Sequence, residues 1–217
     1  MNLGMIVSQL IGGMGVSIRI FAVTLIFSLP LGLVIAFGRM SKNPIICMLV
    51  KFYISIMRGT PLMLQLMVVY FGPYYLFGIQ IKNSHYRLWA AFIGFVINYA
   101  AYFAEIYRSG IQSVPAGQYE AAKVLGYNRI QTFFKIILPQ VMKRILPSIT
   151  NEVITLVKDT SLAFTISVVE MFTIAKALAS SQTSLVPFVA AGLFYYIFNL
   201  LVAVSMERIE KKLAYYQ

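Results

Sequence analysis

Two residue types that build chemical sites are nearly missing from this chain, which has one cysteine, Cys47, and one histidine, His85. A single cysteine inside an apolar run excludes a disulfide framework and a cysteine metal site, and leaves Cys47 as a small buried hydrophobe. His85 stands in a polar stretch from Lys82 to Arg87 with no second histidine or acid cluster beside it, so it reads as a solvated loop residue and no metal is expected. Charge is scarce as well: Asp, Glu, Lys and Arg make up 12% of the residues, and the acids number only 7 against 18 bases. No G-x-x-x-x-G-K-S/T occurs, which removes the phosphate-cradling loop with which a chain could bind ATP itself. Low-complexity runs, internal repeats and a separate soluble domain are also absent from the sequence.

What remains is apolar. Of 217 residues, 59% are hydrophobic and the mean hydropathy is +0.78, the composition of a polytopic membrane protein. A net charge of +11 in a soluble protein would suggest nucleic acid, but here the bases fall in loops between apolar runs, so membrane topology accounts for them and no nucleic-acid partner is expected.

Five stretches are long enough to cross roughly 30 Å of hydrocarbon: residues 16–38, 53–77, 88–111, 136–157 and 185–207. The whole of 1–217 reads as one transmembrane domain. Arg58-Gly59-Thr60-Pro61 interrupts the second span early, and is taken as a structural helix break stabilised by a charge near the interface. Trp89 leads the third, an aromatic suited to the membrane boundary. Residues 162–175 carry Glu170 and are too short to cross, which predicts a re-entrant or surface helix. Twelve loop bases between Arg39 and Lys212 fall on one side of this arrangement, against Lys82, Arg87, Lys158 and Lys176 on the other. That bias puts the N-terminus outside and the C-terminus in the cytoplasm. The first base is Arg19, so no cleavable signal peptide is evident.

A few polar residues sit inside the spans. Glu152 lies about 14 residues beyond Leu138, hence about 20 Å up its helix. A carboxylate at that depth costs on the order of 2.5–3.5 kcal/mol unless it meets a cavity or a partner. Glu152 is therefore expected in a polar pocket, meeting an amino or basic group of a solute, although a hydrogen bond to another span would be the plainer use. Asn98 and Tyr102 share a helix face with Glu105 and are expected in the same pocket, whereas Glu105 is assigned to Arg108 one turn on. For Asp159, Thr160 and Ser161, at the outer end of the fourth span, helix capping and a role at the pocket mouth stand about even.

The densest pattern lies in a polar loop. Glu120-Ala121-Ala122 is followed after three residues by Gly126, after nine more by Ile136, and then by Leu138-Pro139. Residues 113–117 break the preceding helix, and Gln118 to Leu125 read as two turns of good helix formers ended by Gly126, giving a short helix at about 117–127. An acid at its start would complement the helix N-terminus for roughly 0.3–1 kcal/mol. Capping alone, however, does not call for two alanines, a glycine and a Leu-Pro at set distances.

This spacing resembles the EAA loop of ATP-binding-cassette importer permeases. Arg58-Gly59-Thr60-Pro61-Leu62 with Gln65, the stretch NYAAYFAEIYRSGI from Asn98 to Ile111, Asn151-Glu152, and Lys158-Asp159-Thr160-Ser161-Leu162 resemble the polar amino acid permeases, the group handling histidine, arginine, glutamine and cystine. The likeness runs from about Tyr53 to about Ile166, and departs at Ser55, where many members carry an acid.

The resemblance implies an all-α integral membrane protein of about five transmembrane helices, in the type I importer permease fold, in the inner membrane of a prokaryote. Glu120, Ala121, Ala122, Gly126, Ile136, Leu138 and Pro139 would form a cytoplasmic coupling helix and its support, with the two alanines allowing close approach and Glu120 pairing with a basic residue of the motor. The implied partners are a cytoplasmic ATPase dimer carrying ATP and Mg, a second permease, identical or homologous, an external amino acid-binding protein, and membrane lipid. The chain itself would bind no cofactor and do no chemistry. A membrane enzyme using Glu152 and Asp159 is disfavoured because no nucleophile, metal cluster or histidine accompanies them. A secondary carrier or channel built on the same carboxylates would need neither the loop nor an ATPase.

Overall fold

The computed structural model describes residues 3–79 and 85–213; Lys82, counted above on the outer side, and its neighbours Asn83 and Ser84 lie outside the described residues. All regular structure among the described residues is helical.

α1 runs from Leu3 to Arg39, beginning well before residue 16, because residues 3–15 are apolar and contain no proline. Its buried stripe is made largely of small residues, among them Gly13, Ser17, Thr24, Ser28, Gly32 and Ala36. Small side chains let membrane helices approach closely, where packing rather than hydrophobicity drives association. The helix they receive is α4, Tyr86–Gln112, which contributes Ala90, Ala91, Phe95, Tyr99, Phe103 and Tyr107 to the core.

The second expected span is two helices. α2, Pro44–Gly59, starts earlier than residue 53, with Asn43 Oδ1 accepting from the Ile45 amide at 2.9 Å and Pro44 at the first position, where a missing N–H is harmless. Thr60 then turns extended, and α3, Leu62–Phe77, leaves at 111° to α2.

After α4 come the short α5, Ala116–Val124, a single turn α6, Arg129–Gln131, and a π-helical turn at Thr132–Ile137 that runs into α7, Leu138–Asp159. The expected single helix over 162–175 is not formed. α7 tightens into a 3₁₀ turn at Thr160–Ile166, Ser167 takes a left-handed φ of 58°, and a new helix, α8, spans Met171–Gln182. Glu170 causes the restart. Its carboxylate caps α8 by accepting from the Phe172 and Thr173 amides, both at 2.7 Å, and also accepts from Tyr195 of α9 at 3.1 Å and Ser17 of α1 at 3.4 Å. α9, Val186–Leu213, closes the chain.

Three helices, α1, α4 and α9, are long and apolar enough to cross a membrane alone, and the number becomes five if α2 with α3, and α7 with α8, each count as one bent span.

Candidate functional site

A cavity of about 560 Å³ opens between α4 and α7, beneath the elbow of α2 and α3. One face of α7 supplies Arg144, Ser148 and Glu152, four residues apart and so stacked in line; α4 supplies Tyr102, Glu105, Arg108 and Ser109; the elbow supplies Arg58. The helices approach most closely at the foot of the cavity, where Gly110 of α4 lies against Val141 and Ile145, and a methyl group in place of its hydrogen would overlap Ile145.

The charges on this wall are treated unequally. Glu105 is held by Arg108 at 2.6 and 3.0 Å and by Arg39 at 3.6 Å, so it is neutralised within the structure. Arg108 also donates to Gln112 at 2.6 Å. Arg144 donates to the carbonyl of Ser113 and, at 3.0 Å, to its Oγ. Arg58 lies over the Tyr102 ring, 5.2 Å from its centre. Glu152 is half-buried and accepts no hydrogen bond from any described residue; Arg58 lines the same cavity with the opposite charge.

Of the residues expected in a pocket, then, Glu152 and Tyr102 line the cavity. Asn98 does not: it is buried, and its amide nitrogen is already donated to the Met57 carbonyl at 3.1 Å and to Gln65 Oε1 at 2.9 Å. Those bonds satisfy the orphaned end of α2, together with Gln65 Nε2, which donates to the Met57 and Thr60 carbonyls at 3.0 and 3.1 Å. Asp159 accepts from Tyr99 at 2.7 Å. Thr160 is fully buried and bonded to the Val157 carbonyl, and Ser161 to the Lys158 carbonyl. Arg58 was assigned to the interface, yet it is a cavity residue; Gly59, Thr60 and Pro61 form the elbow that delivers it.

Sequence reasoning missed Arg144, Ser113 and the amide lock of Gln65 and Asn98. The Arg144-Ser148-Glu152 repeat at helical spacing was a readable signal for the first of these.

The loop below the cavity is equally particular. α5 begins at Ala116, so Glu120 sits in the second turn, and the plainer alternative of complementing the helix N-terminus does not apply. Glu120 and Ala121 are exposed, as are Val124 at 88% and Leu125 at 72%, while Ala122 is 1% exposed and turns inward. Close approach from outside is therefore open to Ala121 and closed to Ala122. Gly126 adopts a φ of 77°, a left-handed conformation costly to any residue with a side chain. Asn128 and Gln131 then form a reciprocal capping box. Ile136 is half-buried in the π-helical turn beside the fully buried Ile137, and Pro139, which has no N–H to give, follows where the i−5 bonding of that turn passes into α7.

A helical bundle with bent apolar spans, a charged cavity between them and a short exposed helix at the foot of that cavity defines a membrane-embedded transport subunit. The chain belongs to the family of binding-protein-dependent transport system inner membrane components, which it matches over residues 28–215. It is 38% identical over 202 residues to the arginine transport system permease protein ArtQ of Bacillus subtilis (strain 168), covering 93% of this chain and 90% of that one. Over 216 residues it is 38% identical to the L-cystine transport system permease protein TcyL of the same organism, covering 96% and 90%. Among solved structures, an amino acid ABC transporter crystallised with histidines superposes with a TM-score of 0.83 at 30% identity, covering 94% of each chain. The fold is that of a type I ABC importer permease, and the chain is a multi-pass inner-membrane transport subunit, not an enzyme. The likeness to the polar amino acid permeases read from the sequence stands.

Proposed function

We propose that this permease carries a polar amino acid through the cavity between α4 and α7, and that α5 is the helix through which a separate ATPase drives it. The observation that carries the reading is Glu152: a carboxylate at membrane depth, turned into a cavity and left without a hydrogen-bond donor, with Arg58 opposite in charge on the same wall. Intramembrane ionisable groups that line cavities mark solute paths. An amino acid brings an ammonium for Glu152 and a carboxylate for Arg58, and the relatives named for arginine and cystine transport make that cargo class the natural one.

The motor is a second protein. This chain lacks a phosphate-binding loop of the Walker type, and α5 offers Glu120, Ala121, Val124 and Leu125 to the aqueous side for a cytoplasmic ATPase pair that carries ATP and Mg. A second permease, identical or homologous, completes the path, and an external binding protein delivers the amino acid. The N-terminus lies outside and the C-terminus in the cytoplasm, as the loop bases demand. ATP binds the closed ATPase pair better than the open one; closure draws the coupling helices together and turns the cavity outward, and hydrolysis resets it.

The test is affinity purification of tagged protein from native membranes in mild detergent, comparing wild type with Glu120→Arg. An ATPase chain recovered with wild type and lost in the variant is the expected result. A well-folded wild-type protein that brings down no ATPase overturns the reading.

A further inference from the structure

The face of α7 that lines the cavity does not stop there. Residues 140, 144, 148 and 152 are Gln140, Arg144, Ser148 and Glu152, an unbroken polar row at four-residue spacing, and so about 18 Å long at 1.5 Å per residue. Its top is the unpaired carboxylate of Glu152. Its foot is Gln140, whose amide nitrogen donates to the Ile136 carbonyl at 2.9 Å and reaches Gln118 of α5 at 3.3 Å. Between them Arg144 donates to Ser113, the residue that ends α4, through both carbonyl and Oγ, while Ser113 Oγ in turn donates to the Gly110 carbonyl at 2.7 Å. Only Val114, which is buried, and Pro115 separate Ser113 from the first residue of α5.

We infer that Arg144 is a positioning residue that transmits the state of the cavity to the coupling helix, by holding the carbonyl at the α4–α5 turn from the cavity wall. The inference rests on the function proposed above and adds to it the element that joins the two ends. The physical basis is one helix joined to the α4–α5 turn at Ser113 and, by a longer contact, to Gln118 of α5; Pro147, which costs α7 one internal hydrogen bond, is where it can bend between Glu152 and Arg144. The last carbonyls of a helix have no internal partner, so the charged donor that satisfies the one at Ser113 fixes how α5 leaves α4. Gly110 packs directly against Val141 and Ile145, which ties α7 to α4 below Pro147, so a shift of this part of α7 is carried to the Ser113 end of α4. Arg108 lines the same cavity but spends its donors on Glu105 and Gln112 of its own helix, so it cannot supply this link between helices. Both contacts to Ser113 come from one guanidinium nitrogen, Nη1; a lysine at 144 has donors enough for both but its side chain ends one bond short of that atom.

The experiment uses the whole complex, purified with its ATPase and reconstituted in vesicles loaded for uptake of radiolabelled arginine, glutamine or cystine, whichever the wild type takes up. Wild type, Arg144→Met and Arg144→Lys are compared for ATPase recovered, for ATP hydrolysed, and for amino acid taken up per ATP. The expected result is full ATPase recovery in all three, a drop of about tenfold in uptake per ATP for Arg144→Met, and an intermediate value for Arg144→Lys. Arg144→Met complex with the wild-type ratio overturns the inference. So does loss of ATPase from both variants, which would make Arg144 a residue of assembly. Failure of the wild type itself to retain an ATPase would instead count against the proposed function, and is read before either variant.

Discussion

Glu170 and Glu152 are both carboxylates carried to membrane depth on the same bent pair of helices, and the structure treats them in opposite ways. Glu170 is fully buried and surrounded by donors: two backbone amides of α8, the Thr173 hydroxyl, Tyr195 of α9 and Ser17 of α1. Glu152 is half-buried, faces a cavity and receives no such bond. A membrane carboxylate with its valences filled is a fastener among helices. One left open toward a polar space is available to something that arrives. The contrast fits stability for the first and, on the function proposed above, transport for the second, and it can be broken from either end.

The largest effect is expected from Glu170→Ala. It uncaps α8 and takes the Glu170 acceptor from the Tyr195 hydroxyl, while Ser17 keeps the Gly13 carbonyl at 3.5 Å, at about 1–3 kcal/mol for each buried group left unpaired. Thermal unfolding in detergent should drop by about 10 °C or more, and an unchanged midpoint would remove Glu170 from the set of structural residues. Glu152→Gln is the counterpart. Uptake should fall about 30-fold, equivalent to about 2 kcal/mol of lost charge pairing, while the unfolding midpoint stays at the wild-type value. A destabilised Glu152→Gln protein would mean that both acids are fasteners.

Two smaller effects sharpen the division. Asn98→Ala removes two donations at the α2–α3 elbow and should cost about 1–2 kcal/mol of stability, read as a lower unfolding midpoint. Were Asn98 a cargo contact, uptake would fall with stability untouched. Gly126→Ala, at a left-handed φ, should cost about 1 kcal/mol, confined to the end of α5, and should weaken ATPase recovery without moving the global unfolding midpoint.

How much of this was legible in the sequence depended on how local the cause was. α1, α4 and α9 announce themselves by uninterrupted apolar length, and the elbow between α2 and α3 by Thr60-Pro61. The restart at α8 was passed over although its cap is local, Glu170 accepting from the Phe172 and Thr173 amides; what the sequence did not reveal is that the same carboxylate also binds Ser17, 153 residues away, and Tyr195, 25 residues on. Asn98 was read as a pocket residue, whereas the carbonyl that claims its amide belongs to Met57, 41 residues distant, a pairing no local pattern reveals. The helix expected at about 117–127 is formed as α5 from Ala116, and that earlier start carries Glu120 past the first turn. Arg144 could have been placed on the cavity wall from its four-residue spacing to Ser148 and Glu152, but its bonds to the Ser113 carbonyl and Oγ, 31 residues away, follow no side-chain pattern.

The division of labour between cavity and coupling helix is tested most directly by one paired assay in the same membranes: amino acid uptake and ATPase co-purification, measured together for Glu152→Gln and Glu120→Arg. Glu152→Gln should keep its ATPase and lose uptake, while Glu120→Arg should lose both. Wild-type uptake by Glu152→Gln, or an ATPase held at wild-type level by Glu120→Arg with uptake intact, would contradict it.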